Sequence, residues 1–230
     1  MPRTELDRRL STVRDAVLSM GADVETAISR AMNALAAHDC AAAQDVVNGD
    51  DAIDRACVAL GDMCANLITM QQPAVRDLRV VLASLAIAED LERIGDHVEG
   101  IASLVCRLPG SPDCNTMRAL NGLGVLARVQ LQGALDSYRS GDVGRARTVW
   151  SADDDVDALH RRLVSSLIDA MARDADSLLE DTYLLWLAHN LEQIADRAGN
   201  ICERVVFIAT GERRMKDVAS PHSMAVAYAS

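Results

Sequence analysis

Leu6, Leu10, Val13, Val17, Met20, Val24, Ile28, Ala31 and Leu35 follow one another at spacings of three or four, the stripe that one face of an α-helix presents. The pattern predicts a long amphipathic helix ending near His38. Asp39 suits the N-cap of a second helix, which carries Gly49 and continues through Ile53, Leu60, Leu67 and Met70 to a turn at Gln71, Gln72 and Pro73. A third helix is predicted from about Val75 to Arg107, with Leu78, Leu82, Leu85, Leu91, Val98, Ile101 and Val105 facing inward. The stretch RLPGSPDCN, Arg107 to Asn115, breaks the periodicity with two prolines and a glycine. Beyond it, helices are predicted near Met117–Tyr138, Val143–Arg173 and Ser177–Thr210, and the pattern dissolves after Gly211. The expected fold is all-α, two tandem pseudo-symmetric three-helix bundles with six helices. Its parts are a first bundle over residues 1–108, a linker over 109–115, a second bundle over 116–211, and a polar tail over 212–230 expected to be disordered.

The two halves also share words. DLERIGDHVEGIA, Asp90 to Ala102, returns as NLEQIADRAGNIC, Asn190 to Cys202, so Glu92 and Asp96 reappear as Glu192 and Asp196. Upstream, NGDDAID holds Asp50 and Asp54, and SADDDVD holds Asp153 and Asp157. Similar segments at a long fixed period mean a duplicated supersecondary unit. Whatever binds at one copy should have a counterpart at the other.

Composition narrows the chemistry. Only six aromatics occur, Tyr138, Trp150, Tyr183, Trp186, Phe207 and Tyr228, all in the second half, so the core is built from Ala, Leu, Val, Ile and Met. The chain carries 34 acidic and 23 basic residues, a net charge of −11, with Lys216 its single lysine. That balance disfavours nucleic acid, whose binders present a basic face, and suits a metal or a basic protein surface. Cys40, Cys57, Cys64, Cys106, Cys114 and Cys202 form no CxxC pair and are expected as small buried hydrophobes. No signal peptide and no apolar run of about 18 residues is visible, so a cytoplasmic chain without membrane insertion is expected.

Four carboxylate pairs stand at i and i+4: Asp50 with Asp54, Glu92 with Asp96, Asp153 with Asp157, and Glu192 with Asp196. Like charges at that spacing cost a helix a few tenths of a kcal/mol, and a cation would remove the cost. In an antiparallel hairpin turning near Gln72, Asp54 comes level with Glu92 and Asp50 with Asp96; a turn within RDADS does the same for Asp157 with Glu192 and Asp153 with Asp196. Two quartets of oxygen ligands result, suited to hard or borderline ions. The expected cargo is a divalent or trivalent metal, among iron, manganese, magnesium and zinc, with a dedicated zinc site disfavoured by the lack of Cys or clustered His. Glu89, Glu99, His189, Asn200 and Glu203 flank the quartets as candidate outer ligands. The competing reading is plain: exposed acidic residues are usually only solvated, Asp50 or Asp153 could cap a helix, and Arg93 or Arg197 could supply counter-charge.

The paired signatures, together with the turn segment QQPAVRDLRVV (Gln71 to Val81), resemble the PhoU family of phosphate-signalling regulators, from about Thr4 to Thr210. The resemblance implies two pseudo-symmetric three-helix bundles whose E(D)xxxD motifs hold metal ions. It also implies a regulator that restrains a Pst-type phosphate ABC transporter and helps silence a phosphate sensor histidine kinase; a homodimer is expected. Carried onto this chain, the ligands are Asp50, Asp54, Glu92 and Asp96, then Asp153, Asp157, Glu192 and Asp196, with no catalytic residue. Gly100 and Ser103 stand where the second copy has Asn200 and Glu203. Two other functions compete. A ferritin-like carboxylate-bridged di-metal oxidase would need Glu-x-x-His on two helices, and that tetrapeptide does not occur. A histidine phosphotransfer bundle would use His189 or His97. No Gly-rich phosphate cradle is visible.

Overall fold

The computed structural model of the chain describes residues 3–212 and Met215, so most of the tail, with Lys216 and His222, lies outside the described residues. Its helices are α1 (Arg3–Ala37), α2 (Cys40–Gln71), α3 (Val75–Val105), α4 (Cys114–Ser140), α5 (Val143–Ser151), α6 (Asp153–Arg173) and α7 (Leu178–Thr210), with a 3-10 turn at Ala175–Ser177 before α7. No strand occurs among the described residues. None of their helices is long and apolar enough to cross a membrane.

The first helix ends where expected because His38 turns into the left-handed region, with φ 49°. Asp39 then caps α2, its carboxylate accepting from the backbone N–H groups of Ala41 and Ala42 at 3.0 Å. Gln72, at φ 45°, closes α2 with a backbone bond to the Ile68 carbonyl. Asp113 caps α4 in the same manner.

The single helix expected over Val143–Arg173 is broken at Ala152. There the Ala152 N–H donates to the Val149 carbonyl and the Asp155 N–H to the Ala152 carbonyl, a tight turn between α5 and α6. The cause is the run Asp153, Asp154, Asp155, which the break gathers into the first turn of α6. The positive end of the helix macrodipole favours three carboxylates there, whereas an unbroken helix would hold them mid-span against one another. Asp153 is thus the first residue of a helix, while its counterpart Asp50 sits in the middle of α2.

In the first bundle α1, α2 and α3 pack on one another; in the second, α4, α5 and α6 pack on α7. The bundles meet along α3 and α7, with α1 against α4, and one hydrophobic core runs through both. This changes the inner face of α3. Leu82 is 42% exposed and Leu78 and Leu85 are only half-buried, while Val80, Val81, Ala83, Ser84, Ile87 and Ala88 are buried. A helix with neighbours on several sides buries a wide arc, and small residues let those neighbours approach. Ser84 exemplifies it: its hydroxyl lies 2.6 Å from that of Tyr138 on α4 and donates to the Val80 carbonyl.

The α3–α7 seam is itself pseudo-symmetric. His97 Nδ1 lies 2.9 Å from Asn190 Oδ1, and the Asn200 amide donates to Asp90 at 3.4 Å. Arg197 approaches Asp90 at 3.8 Å. Asp90 and Asn190 are matched positions, as are His97 and Arg197, so each copy offers one polar residue to the same pair of sites on the other. Burial pushes the Asp90 carboxyl above its ordinary range, outweighing the pull of Arg204, Arg197, Asn200 and Arg93.

Candidate metal centre

The first quartet comes together on one side of the α2–α3 hairpin. Asp50, Asp54 and Asp96 each present a carboxylate oxygen, and these oxygens lie within 4.8 Å of one another. Hard cations hold oxygens at about 2.0–2.6 Å, so modest side-chain rotation would let one ion reach all three. Glu92 stands beside them: the Glu92 carboxyl is pushed up first by burial, then by Asp96 and Asp54. Asp50 is pushed up to about 6, by burial first and then by Asp54, Glu99, Asp96 and Glu92. The like-charge crowding inferred from spacing is therefore present. Glu99 joins it on the Asp50 side and Glu89 on the Glu92 side.

Gly95 makes room for this. A Cβ added there would lie 2.8 Å from Asp50 Oδ1 and 3.3 Å from the Ile53 side chain, so the carboxylate rests against bare backbone. The second copy has Ala195 at the matched position. Gly95→Ala should displace Asp50 and weaken Mn²⁺ binding about tenfold, even though alanine favours the helix by up to about 1 kcal/mol. Calorimetric titration with Mn²⁺ checks it, and unchanged affinity would contradict this packing.

The second quartet is crowded but differently served. Burial, Asp157 and Glu192 raise the Asp153 carboxyl against the pull of Gln130. Burial, then Glu192, Asp153 and Asp157, raise Asp196 to about 6. Side-chain amides reach into it: Gln130 donates to Asp153 at 3.5 Å, and Gln193 donates to Glu192 at 2.9 Å and to Asp196 at 3.5 Å. Among the described residues no three of its ligand atoms converge as those of the first quartet do. The donor set of the first cluster fits a hard cation; the second is partly satisfied by neutral donors.

The outer ligands divide. His189 Nδ1 stands 3.7 Å from Glu192. Asn200 is turned away to Asp90, and Glu203 accepts from the Met215 backbone N–H at 3.3 Å. Helix phase alone points both toward the cluster, and phase does not see the partner helix or the returning chain. His97 belongs to the seam, and His38 lies 3.2 Å from the Leu108 carbonyl. Sequence reasoning missed Gln130 and Gln193; Gln193 is adjacent to Glu192 and was readable, whereas Gln130 arrives from α4.

The cysteine expectation is half corrected. Cys64 and Cys202 are buried and Cys57 is intermediate, but Cys40, Cys106 and Cys114 are exposed. The exposed three occupy helix ends: Cys40 and Cys114 open α2 and α4, and Cys106 caps α3. Apolar sequence neighbours say little about burial where a helix stops.

Raised carboxyls fix a pH dependence. Asp50 and Asp196 keep their protons in the folded chain to higher pH than in the unfolded one. Their contribution is therefore favourable below the ordinary carboxylate range and is lost as pH rises through about 6. In chelator, the unfolding midpoint should fall between about pH 5 and about pH 7, each group contributing on the order of 1 kcal/mol after solvent screening. Scanning calorimetry in matched ionic strength checks it; a midpoint that rises over that interval contradicts the crowding.

Comparison with known proteins agrees with this architecture. The family model described as "PhoU domain" matches twice, over residues 17–105 and 120–205. The phosphate-specific transport system accessory protein PhoU homolog of Clostridium acetobutylicum is 32% identical over 214 residues, covering 93% of this chain and 98% of that protein. The homolog of Rhizobium meliloti is 34% identical, covering 93% of each. Among solved structures, the phosphate transport system regulatory protein PhoU from Streptococcus pneumoniae superposes with a TM-score of 0.86 at 31% identity, over 92% of this chain and all of that one. PhoU from Pseudomonas aeruginosa gives 0.85 at 30%, over 90% and 99%. With both copies matched and the whole helical plan shared, this chain belongs to the PhoU family.

Proposed function

We propose that this chain is a non-enzymatic regulator of phosphate homeostasis: it restrains a Pst-type phosphate ABC transporter and damps signalling by a phosphate sensor histidine kinase when phosphate is plentiful. Membership of a family whose curated relatives are named phosphate-specific transport system accessory proteins carries this reading. The first carboxylate cluster would hold one or more hard cations between α2 and α3, through Asp50, Asp54, Asp96 and Glu92. The second would hold a cation more weakly, through Asp153, Asp157, Glu192 and Asp196. A bound cation neutralises mutually repelling carboxylates and so fixes the helix faces on which a partner docks. The chain acts as a homodimer in this reading, without entering the membrane or binding nucleic acid.

Deletion of the gene, read with a reporter of phosphate starvation, tests the proposal. Loss of the protein should switch the reporter on in phosphate-rich medium, and the full chain should switch it off again. Capture of the transporter and the kinase with the tagged chain should accompany the repression. A reporter that stays off after deletion would overturn the regulatory reading. The oxidase alternative lacks its Glu-x-x-His pairs, and turnover of ferrous iron with oxygen would be needed to revive it.

A further inference from the structure

Cys40 and Cys106 lie at the ends of α2 and α3 farthest from the hairpin turn at Gln72. The register that brings Asp50 to Asp96 continues along the same two helices. About ten residues further, roughly 15 Å at helical rise, it sets Cys40 opposite Cys106. Side-chain geometry agrees with this backbone placement. Cys40 is the first residue of α2, just after the capping Asp39, and Cys106 is the C-cap of α3. The His38 ring, 3.2 Å from the Leu108 carbonyl, ties the α1–α2 turn to the segment leaving α3, and Cys40 is near enough to Cys106 to be the first influence on its thiol.

Both thiols are exposed, so small reagents reach them. The Cys106 thiol is pushed up by neighbouring Cys40 first, then by burial and by Asp39. Cys64 and Cys202 differ in being buried, out of reach of such reagents, and burial pushes them up to about 11 and about 12. Accessibility lets a reagent reach either thiol, and a second thiol set opposite supplies the resolving partner beside which redox-responsive cysteines are often poised.

We propose that Cys40 and Cys106 form a reversible dithiol–disulfide pair, a redox modification site that ties the free ends of α2 and α3 together. Glutathione disulfide is a sufficient oxidant. One protein thiolate attacks it, forming a mixed disulfide and expelling one glutathione thiolate. The second protein thiolate attacks the protein-bound sulfur, closing the Cys40–Cys106 bond and expelling the second glutathione. The protein loses two protons and two electrons, which end on two molecules of reduced glutathione. The closed loop contains the rest of α2, the turn and α3, and with them the whole first carboxylate cluster.

Incubating the full chain in mixtures of oxidised and reduced glutathione, followed by alkylation and non-reducing peptide mapping, tests this. The peptide carrying Cys40 should be linked to the one carrying Cys106 within a single chain, with two free thiols lost and both recovered on reduction. Cys114→Ser should leave the link unchanged. Cys106→Ser should leave Cys40 as a glutathione adduct. Glutathione adducts without the link in the parent chain, a link to Cys114, or a link between two chains would each overturn the proposal.

Discussion

Replacing Asp50, Asp54 and Asp96 together by asparagine should weaken Mn²⁺ binding at the first cluster by more than about a hundredfold, while raising the unfolding midpoint in chelator by several degrees. The two effects have one cause. Three carboxylate oxygens within 4.8 Å of one another repel when bare and attract a cation when it is present, and amides keep the shape while removing both terms. Asp54 and Asp96 are exposed and Asp50 is half-buried, so relief of two or three such contacts is worth on the order of 1 kcal/mol after solvent screening, or roughly 2–4 °C for a chain of this size. Calorimetric titration and thermal unfolding of the same samples check both signs. A variant that loses metal and also loses chelator-state stability would mean the carboxylates serve the fold through hydrogen bonds instead.

Leu91→Ala and Leu191→Ala should each cost about 2–5 kcal/mol, and both should lower the same unfolding transition. The two leucines occupy matched positions on α3 and α7 and are completely buried. Because α3 packs along α7 and the core is continuous across the bundles, damage on either side weakens one cooperative unit. The midpoint should fall by roughly 5–15 °C in each variant. Differential scanning calorimetry would show one shifted peak. Two resolved peaks, only one of which moves per variant, would show that the bundles unfold independently.

Much of this arrangement was legible in the sequence, for reasons that specific residues make plain. The α2–α3 hairpin follows from Asp39 as a cap, a turn at Gln72 and an uninterrupted stripe, and once those are set, helix rise alone brings Asp50 and Asp54 level with Asp96 and Glu92. The second copy reads less cleanly. Its carboxylates recur at matched spacing, but spacing does not report that Asp153, Asp154 and Asp155 prefer the start of a helix to its middle, nor that Gln130 would reach Asp153 from α4. The inner face of α3 was shifted because periodicity favours leucines, whereas a helix between the two bundles buries Ala83, Ser84 and Ala88. Helix phase sets Asn200 with the acidic motif, yet its amide answers the buried carboxylate of Asp90 across the seam. Contacts that cross between copies have no local signature. They emerge only when both helices are in place.

Cation binding at the first cluster is tested by an anomalous-scattering map from crystals of the full chain grown or soaked with Mn²⁺. A peak is expected between α2 and α3, bounded by the carboxylates of Asp50, Asp54 and Asp96, with a weaker one or none beside Asp153 and Asp196. Absence of a peak at the first cluster, with Asp50 and Asp96 instead turned outward to separate solvent shells, would contradict it.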